Sequence, residues 1–279
     1  MSDAHCEALV RAADKDRFLA TLFAPAEHRA ALYALYAFNA EIARVREAVR
    51  EPLAGEIRLQ WWNDALEREG RGEVDAHPVA AALLAAIARY RLPPEPLMAL
   101  IAAHRFDLYD EPMATLADLE QYADGVSSNL IVLAGRILSP DADLTTLAHH
   151  AGVAYALAGL LKALPIHAVR GQLYLPLELL QRHGVRREDV ASKRATPQLR
   201  AVLAALRRNA RMHLDAARPQ LASAPAAVIP ALLPVAPVSL TLTRMQRSDY
   251  DPFAPLELAQ WRRQWLIWRA ARRPAQMFG

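Results

Sequence analysis

The feature that most limits how this chain can fold is an apolar repeat of three to four residues that runs almost unbroken along it. Between Pro25 and about Val49 there is neither glycine nor a further proline, and Leu32, Leu35, Phe38, Ile42 and Val45 recur on one helical face. Only 10 of 279 residues are glycine, whereas alanine makes up roughly a fifth of the chain. Alanine and leucine lose little on entering a helix and glycine loses most, so strands are disfavoured throughout. The spacing predicts a helix from Pro25, which suits a first-turn position. A second covers roughly 56–69 with Ile57, Trp61, Trp62 and Leu66, ended by Gly70 and Gly72. Further helices are expected near 77–91, 95–107, 116–137, 141–168, 196–217, 226–245 and 255–273. Breaks fall at Pro93-Pro94, Pro140, Gly171 to Pro176, Pro219 and Pro252. There is no Gly/Ser linker and no internal repeat, so a single all-α domain over 1–279 is expected, with a flexible N-terminus over 1–16.

Charge narrows the functional classes. The 33 basic residues against 30 acidic ones leave a net charge of +3, and no basic run stands apart from acidic neighbours. A dedicated nucleic-acid partner is therefore excluded as the first reading. The one cysteine, Cys6, rules out an internal disulfide and fits a reducing compartment. The first residues lack the basic-then-apolar order of a signal peptide, and a cytoplasmic location is expected.

Two segments invite comparison with membrane elements. Pro219 to Thr243 carries no charge, but its five prolines remove donors that hydrocarbon cannot replace, so a kinked core helix is expected. Trp261, Trp265 and Trp268 follow at i, i+4 and i+7 among Arg262, Arg263, Arg269, Arg272 and Arg273. A core stripe with a solvated basic face is the expectation; an interfacial anchor on anionic lipid is the alternative.

Three stretches carry a family resemblance. They are Arg29-Ala-Ala-Leu-Tyr33-Ala-Leu-Tyr36-Ala-Phe38-Asn39-Ala-Glu41, Leu119-Glu120-Gln121-Tyr122-Ala-Asp124-Gly125-Val126-Ser127-Ser128, and Gly152 to Pro176 ending in Gly171-x-x-Tyr174-Leu175-Pro176. In this order they resemble the squalene/phytoene synthase family, from about Phe18 to Phe253. The resemblance implies an isoprenoid synthase-type helical bundle around a central cleft. It also implies prenyl diphosphate coupling, in which two aspartate-rich helical motifs hold Mg²⁺ on the leaving diphosphate. Carboxylates at i and i+4 share one helix face, and magnesium takes hard oxygen ligands, so the acidic side chains are indispensable to that chemistry.

This chain departs from the family pattern at those places. The first motif's aspartates fall on Ala43, Arg44 and Glu47, and the second motif's on Ala163 and His167. The family's asparagine and arginine near the second motif become Gly159 and Lys162. Phe38-Asn39-x-Glu41, Arg58-x-Gln60-Trp61-Trp62 and Pro165-x-His167 resemble the branch of the family containing mitochondrial respiratory complex I assembly factors, which lacks the aspartate motifs. That resemblance implies a non-catalytic role with complex I subunits or assembly intermediates as partners, no cofactor, and peripheral contact with the inner face of the membrane. The rival is an active prenyl transferase that uses Mg²⁺ with Glu41, Glu47 and Asp124 as its remaining carboxylates.

The altered cleft offers cations instead. Arg44, Arg46, Lys162, His167 and Arg170 can bind an anionic headgroup, a prenyl diphosphate or a phospholipid, without a metal. Alternatively Arg44 pairs with Glu47 at i, i+3 and His167 is a hydrogen-bonded buried histidine. Tyr36, Tyr122, Ser127, Tyr174 and Tyr250 fall in the family's pocket regions, where they are ligand-binding candidates or simply core residues with a polar tip. His149-His150 with His167 make a poor metal set, because adjacent helical residues point about 100° apart. Ser127-Ser128 lacks a nucleophile-elbow pattern and Cys6 lacks a paired histidine, so neither is expected to be a nucleophile. The Arg-rich stretch 181–194 is expected to be a solvated loop.

Overall fold

A computed structural model of the chain describes residues 2–67, 74, 76–109 and 111–279. Among them every regular element is helical and no strand occurs. Local chemistry accounts for several of the helix ends. Pro52, Pro78, Pro94 and Pro197 each sit in a first turn, where no N–H is needed. Thr115 accepts from the Asp118 N–H while Asp118 accepts from the Thr115 N–H, a complete capping box that starts Leu116–Ala123. Gly171, at φ 72°, ends the 26-residue helix Thr145–Arg170 in the left-handed region that glycine enters without a Cβ clash.

The helices pack around two apolar cores. One gathers Leu32, Leu35, Phe38, Leu59, Leu83, Leu97 and Leu100 from the N-terminal half. The other gathers Leu157, Leu161, Leu203, Leu214, Leu232 and Phe278 from the C-terminal half. The helix Asn129–Leu138 is the wall between them, with Ile131 facing the C-terminal core and Leu130, Leu133 and Ile137 the other. The two longest helices, Thr145–Arg170 and Pro197–Ser223, pack against one another.

Several expectations change. The N-terminus is not loose: Ser2–Ala13 and Lys15–Thr21 are helices, and Cys6 and Val10 are fully buried against Ala26–Ala43. Apolar contact outweighs the fraying expected of a chain end. The helix expected from Pro25 to Val49 is Ala26–Ala43, interrupted at Arg44 and followed by the single turn Val45–Ala48. The helix expected over 116–137 is divided by a π-helical turn at Asp124–Ser128. Pro219 does not break its helix, which continues to Ser223. The stretch 181–194 holds the short helix Arg187–Ala191, and the C-terminal helix starts at Gln260. Gly70 and Gly72 lie outside the described residues.

The tryptophan stripe is also corrected. In Gln260–Arg272 the buried residues are Ile267 and Ala270, whereas Trp261, Trp265 and Trp268 are 63, 49 and 50% exposed. The helix docks through its small and aliphatic residues and turns its aromatic face outward. Arg262, Arg269 and Arg272 lie over those three rings at 5.1, 5.4 and 5.8 Å. Ala226–Arg244, apolar enough by composition to cross a bilayer, is instead mostly buried as a succession of short turns.

Candidate functional site

The two degenerate motifs sit on helices belonging to different cores and meet across the seam. Ala43 ends its helix at the surface and Glu47 follows on the next turn; Arg170 is the last residue of Thr145–Arg170. Arg170 Nη1 donates to Glu47 Oε1 at 2.7 Å. Glu47 therefore reaches across the seam to the second motif helix rather than along its own chain to Arg44. Ala163 and His167 present no carboxylate from the second helix. Among the described motif positions magnesium would find one carboxylate, already engaged by a guanidinium, so this donor set does not fit that ion.

Beneath this pair lies a polar knot that sequence reasoning missed. Asp107, 8% exposed, accepts from the hydroxyls of Tyr122 at 2.9 Å and Tyr174 at 2.7 Å, and its second oxygen meets His104 Nδ1 at 2.6 Å. Burial, and then the Asp107 charge, hold both phenols well above their usual pKa, so they remain donors. Tyr174 reaches the knot because the left-handed Gly171 reverses the chain just beyond the helix end. The His167 ring rests on Tyr174 with centroids 4.5 Å apart. Desolvation lowers the His167 pKa to about 4; Asp107 opposes that shift and Arg170 adds to it. Hence His167 is a neutral ring at pH 7 and not part of the cationic patch expected of it. A buried histidine–carboxylate spacing of i, i+3 at the end of an apolar helix was the available signal for His104 and Asp107.

The interior between the cores is occupied by Arg17. Its guanidinium is bonded to Asp14 at 2.6 Å and lies over the rings of Tyr36 and Tyr155 at 5.6 and 5.1 Å. Tyr36, Ser127 and Tyr155 surround a residual cavity of about 10 Å³, near the size of one water. The Ser127 hydroxyl is buried there without a hydrogen-bond partner. An isoprenoid tail would have to displace Arg17 to enter at this point; a separate groove of about 750 Å³ runs along Ala99, Ala103, Phe106, Tyr122 and Asn129. Of the residues expected near a ligand, Tyr36 and Ser127 meet at this plug, and Tyr122, His167 and Tyr174 meet at Asp107.

The other candidates are dispersed. Arg44 lines a groove of about 410 Å³ with Glu41, Arg58, Trp61, Trp62 and His77. Burial raises the Glu41 pKa to about 7, and His77 Nε2 approaches its carboxylate at 3.4 Å. Lys162 is exposed and contributes to the field at Asp16, which also contacts Arg263 at 3.2 Å. Tyr250 lies in a separate groove of about 590 Å³ with Arg244, Arg247 and Arg262. His149 and His150 do converge with a third histidine, but it is His213 from the facing helix and not His167.

Comparison with known proteins places this geometry. The squalene/phytoene synthase family model matches residues 10–269. The human protein described as NADH dehydrogenase (ubiquinone) complex I, assembly factor 6, is 32% identical over 255 residues, covering 91% of this chain and 77% of its own length. The phytoene synthase of Thermus thermophilus is 31% identical over 73% of this chain and 69% of its own. The solved structure of squalene synthase HpnC from Alicyclobacillus acidocaldarius superposes with a TM-score of 0.80, at 24% identity, over 90% of this chain and 95% of that one.

Proposed function

The chain belongs to the squalene/phytoene synthase family, and on that premise we propose that it is a non-catalytic assembly factor for respiratory complex I. The carrying observation is the Arg170–Glu47 pair at 2.7 Å, which joins the two motif helices directly where the family chemistry calls for carboxylates on both sides of a magnesium ion. Such a protein works without a divalent cofactor in the cleft. Its similarity over most of its length to a human protein described as a complex I assembly factor supports the same reading.

Of the cations expected to hold an anionic headgroup, Arg170 stands at the seam of the two motifs and can supply charge-assisted hydrogen bonds there, whereas Arg44 lines a separate groove and Lys162 lies towards Asp16. The Arg17 plug argues against burial of a prenyl chain between the two cores, so that a ligand would be recognised by its headgroup there. The outward tryptophans and their arginines fit the peripheral zone of a membrane, with the protein acting at its cytoplasmic face.

The similarity to a phytoene synthase favours a second reading, a prenyl transferase with an unusual ligand set. Against it, Glu41 faces His77, Glu47 faces Arg170 and Asp124 faces His149, so each remaining carboxylate is already committed. Deleting the gene and measuring NADH:quinone oxidoreductase content, with complementation by the parent sequence, tests the assembly role. Normal content in the deletion strain would overturn it. Incubation with farnesyl or geranylgeranyl diphosphate and Mg²⁺ is expected to release no pyrophosphate above a blank; turnover lost in Glu47→Ala would establish the enzyme instead.

A further inference from the structure

We propose that His149, His150 and His213 form a three-histidine Zn²⁺ site that ties the start of one long helix to the middle of the other. This inference is independent of the assembly role. One ring nitrogen from each histidine lies within 4.8 Å of the others. His150 Nδ1 and His213 Nδ1 are 3.0 Å apart. Two imidazole nitrogens on one tetrahedral zinc, each at about 2.0–2.1 Å, lie about 3.3–3.4 Å apart, so only small side-chain rotations separate this arrangement from a ligand set.

The far nitrogens carry the stronger argument. Histidine ligands are ordinarily oriented by an acceptor on the ring nitrogen that does not touch the metal. Here Asp124 Oδ1 holds His149 Nδ1 at 2.7 Å, which leaves Nε2 as the ligand atom. Glu120 Oε1 faces His213 Nε2 at 3.6 Å, which leaves Nδ1, the atom already beside His150. Glu120 is itself fixed by Asn209 Nδ2 at 2.6 Å. His213 is 4% exposed and its buried Nε2 makes no hydrogen bond, the Glu120 carboxylate standing just beyond hydrogen-bond reach. A simple hydrogen bond between His150 and His213 explains one contact of the set. It does not explain why a third ring joins them and why two of the three have a carboxylate behind them.

Four elements meet at this point. His149 and His150 come from Thr145–Arg170, His213 and Asn209 from Pro197–Ser223, Glu120 from Leu116–Ala123, and Asp124 from the π-helical turn. Adjacent histidines diverge around their own helix, but His213 enters between them, with ring centroids 5.6 Å from His149 and 5.1 Å from His150. The carboxylates of Glu120 and Asp124 offset the ion's two positive charges. Three nitrogens leave a fourth position for water, on the partly exposed side of His149.

The test uses the untagged full-length protein, stripped with EDTA and titrated with Zn²⁺ against a chromophoric chelator. One saturable zinc per chain is expected, together with the visible absorption of low-coordinate Co²⁺ when cobalt replaces it. His149→Gln, on the more exposed ring, is expected to weaken zinc at least tenfold and to remove the cobalt spectrum. Asp124→Asn, which keeps all three ligands, is expected to cost about 10–100-fold in affinity through ring orientation. Failure to bind one zinc per chain overturns the proposal, as does His149→Gln binding zinc as tightly as the parent. His213→Asn is a second check, read only after circular dichroism shows it folded; undiminished zinc affinity in that variant also overturns it.

Discussion

Arg170 and Glu47, 123 residues apart in the chain, meet at 2.7 Å with 45% and 48% of their side chains still in solvent. Exposed pairs of this kind contribute about 1 kcal/mol or less, because water screens the attraction and two long side chains lose freedom. A double-mutant cycle with Glu47→Ala and Arg170→Ala is therefore expected to give a coupling energy below about 1 kcal/mol. Thermal melting should fall by no more than about 4 °C in either single variant. The pair matters for what it denies to a metal rather than for stability.

Asp107 should behave in the opposite way. Asp107→Ala leaves the hydroxyls of Tyr122 and Tyr174 and the ring of His104 without their buried acceptor. The expected cost is about 3 kcal/mol or more, read as a melting temperature lower by about 6 °C or more. Asp107→Asn keeps one oxygen acceptor and should lose less.

His167 supplies a pH dependence with a definite sign. Its folded pKa is about 4, below the usual 6.5. The native state gains nothing from the proton that the unfolded chain takes up below pH 6.5. Its contribution is thus fully present above pH 6.5 and is lost as the pH falls towards 4. Urea unfolding of the parent at pH 7.5 and pH 5 should show a decline that His167→Phe partly removes. The difference between the two proteins is expected to be of order 2 kcal/mol.

Two glycines of one helix should respond oppositely to alanine. A Cβ on Gly152 would lie 2.6 Å from the backbone of Ser128, in the π-helical turn. Gly152→Ala must push two backbones apart and should destabilise by about 1–3 kcal/mol or more. Gly159 has open space where its Cβ would go, so Gly159→Ala should stabilise by about 0.5–1 kcal/mol through helix propensity. Melting temperatures of the two variants check both signs.

The C-terminal helix separates membrane contact from folding. Because Trp261, Trp265 and Trp268 face solvent, replacing all three with alanine should leave the melting temperature within a few degrees of the parent. The same variant is expected to lose co-sedimentation with vesicles containing anionic phospholipid. Vesicle binding equal to the parent's would remove this helix from the membrane contact.

What could be read along the chain was whatever repeats locally. A period of 3.6 residues and glycine beyond a helix end each act within a few residues, so the existence of the helices and an end such as that at Gly171 were legible, whereas the break at Arg44, the π-helical turn and the continuation through Pro219 were not. The replacements at Ala43, Arg44, Ala163 and His167 were legible as well, since each is a single letter at a family position. Which face of Gln260–Arg272 is buried was not legible. Trp265 and Ile267 are both apolar, and docking against the C-terminal core chose the aliphatic one.

Composition and periodicity by themselves determined an all-α chain, and the sequence's own family motifs pointed to a synthase fold without its acidic ligands. Only the tertiary structure decided that Glu47 reaches Arg170, that Asp107 collects two tyrosines and a histidine, that Arg17 fills the interior, and that His213 comes to His149 and His150. Those partners stand 15 to 138 residues apart, apart from the His104–Asp107 and Arg17–Asp14 pairs. Their meeting depends on the angle and register at which whole helices pack, and no local repeat encodes that geometry.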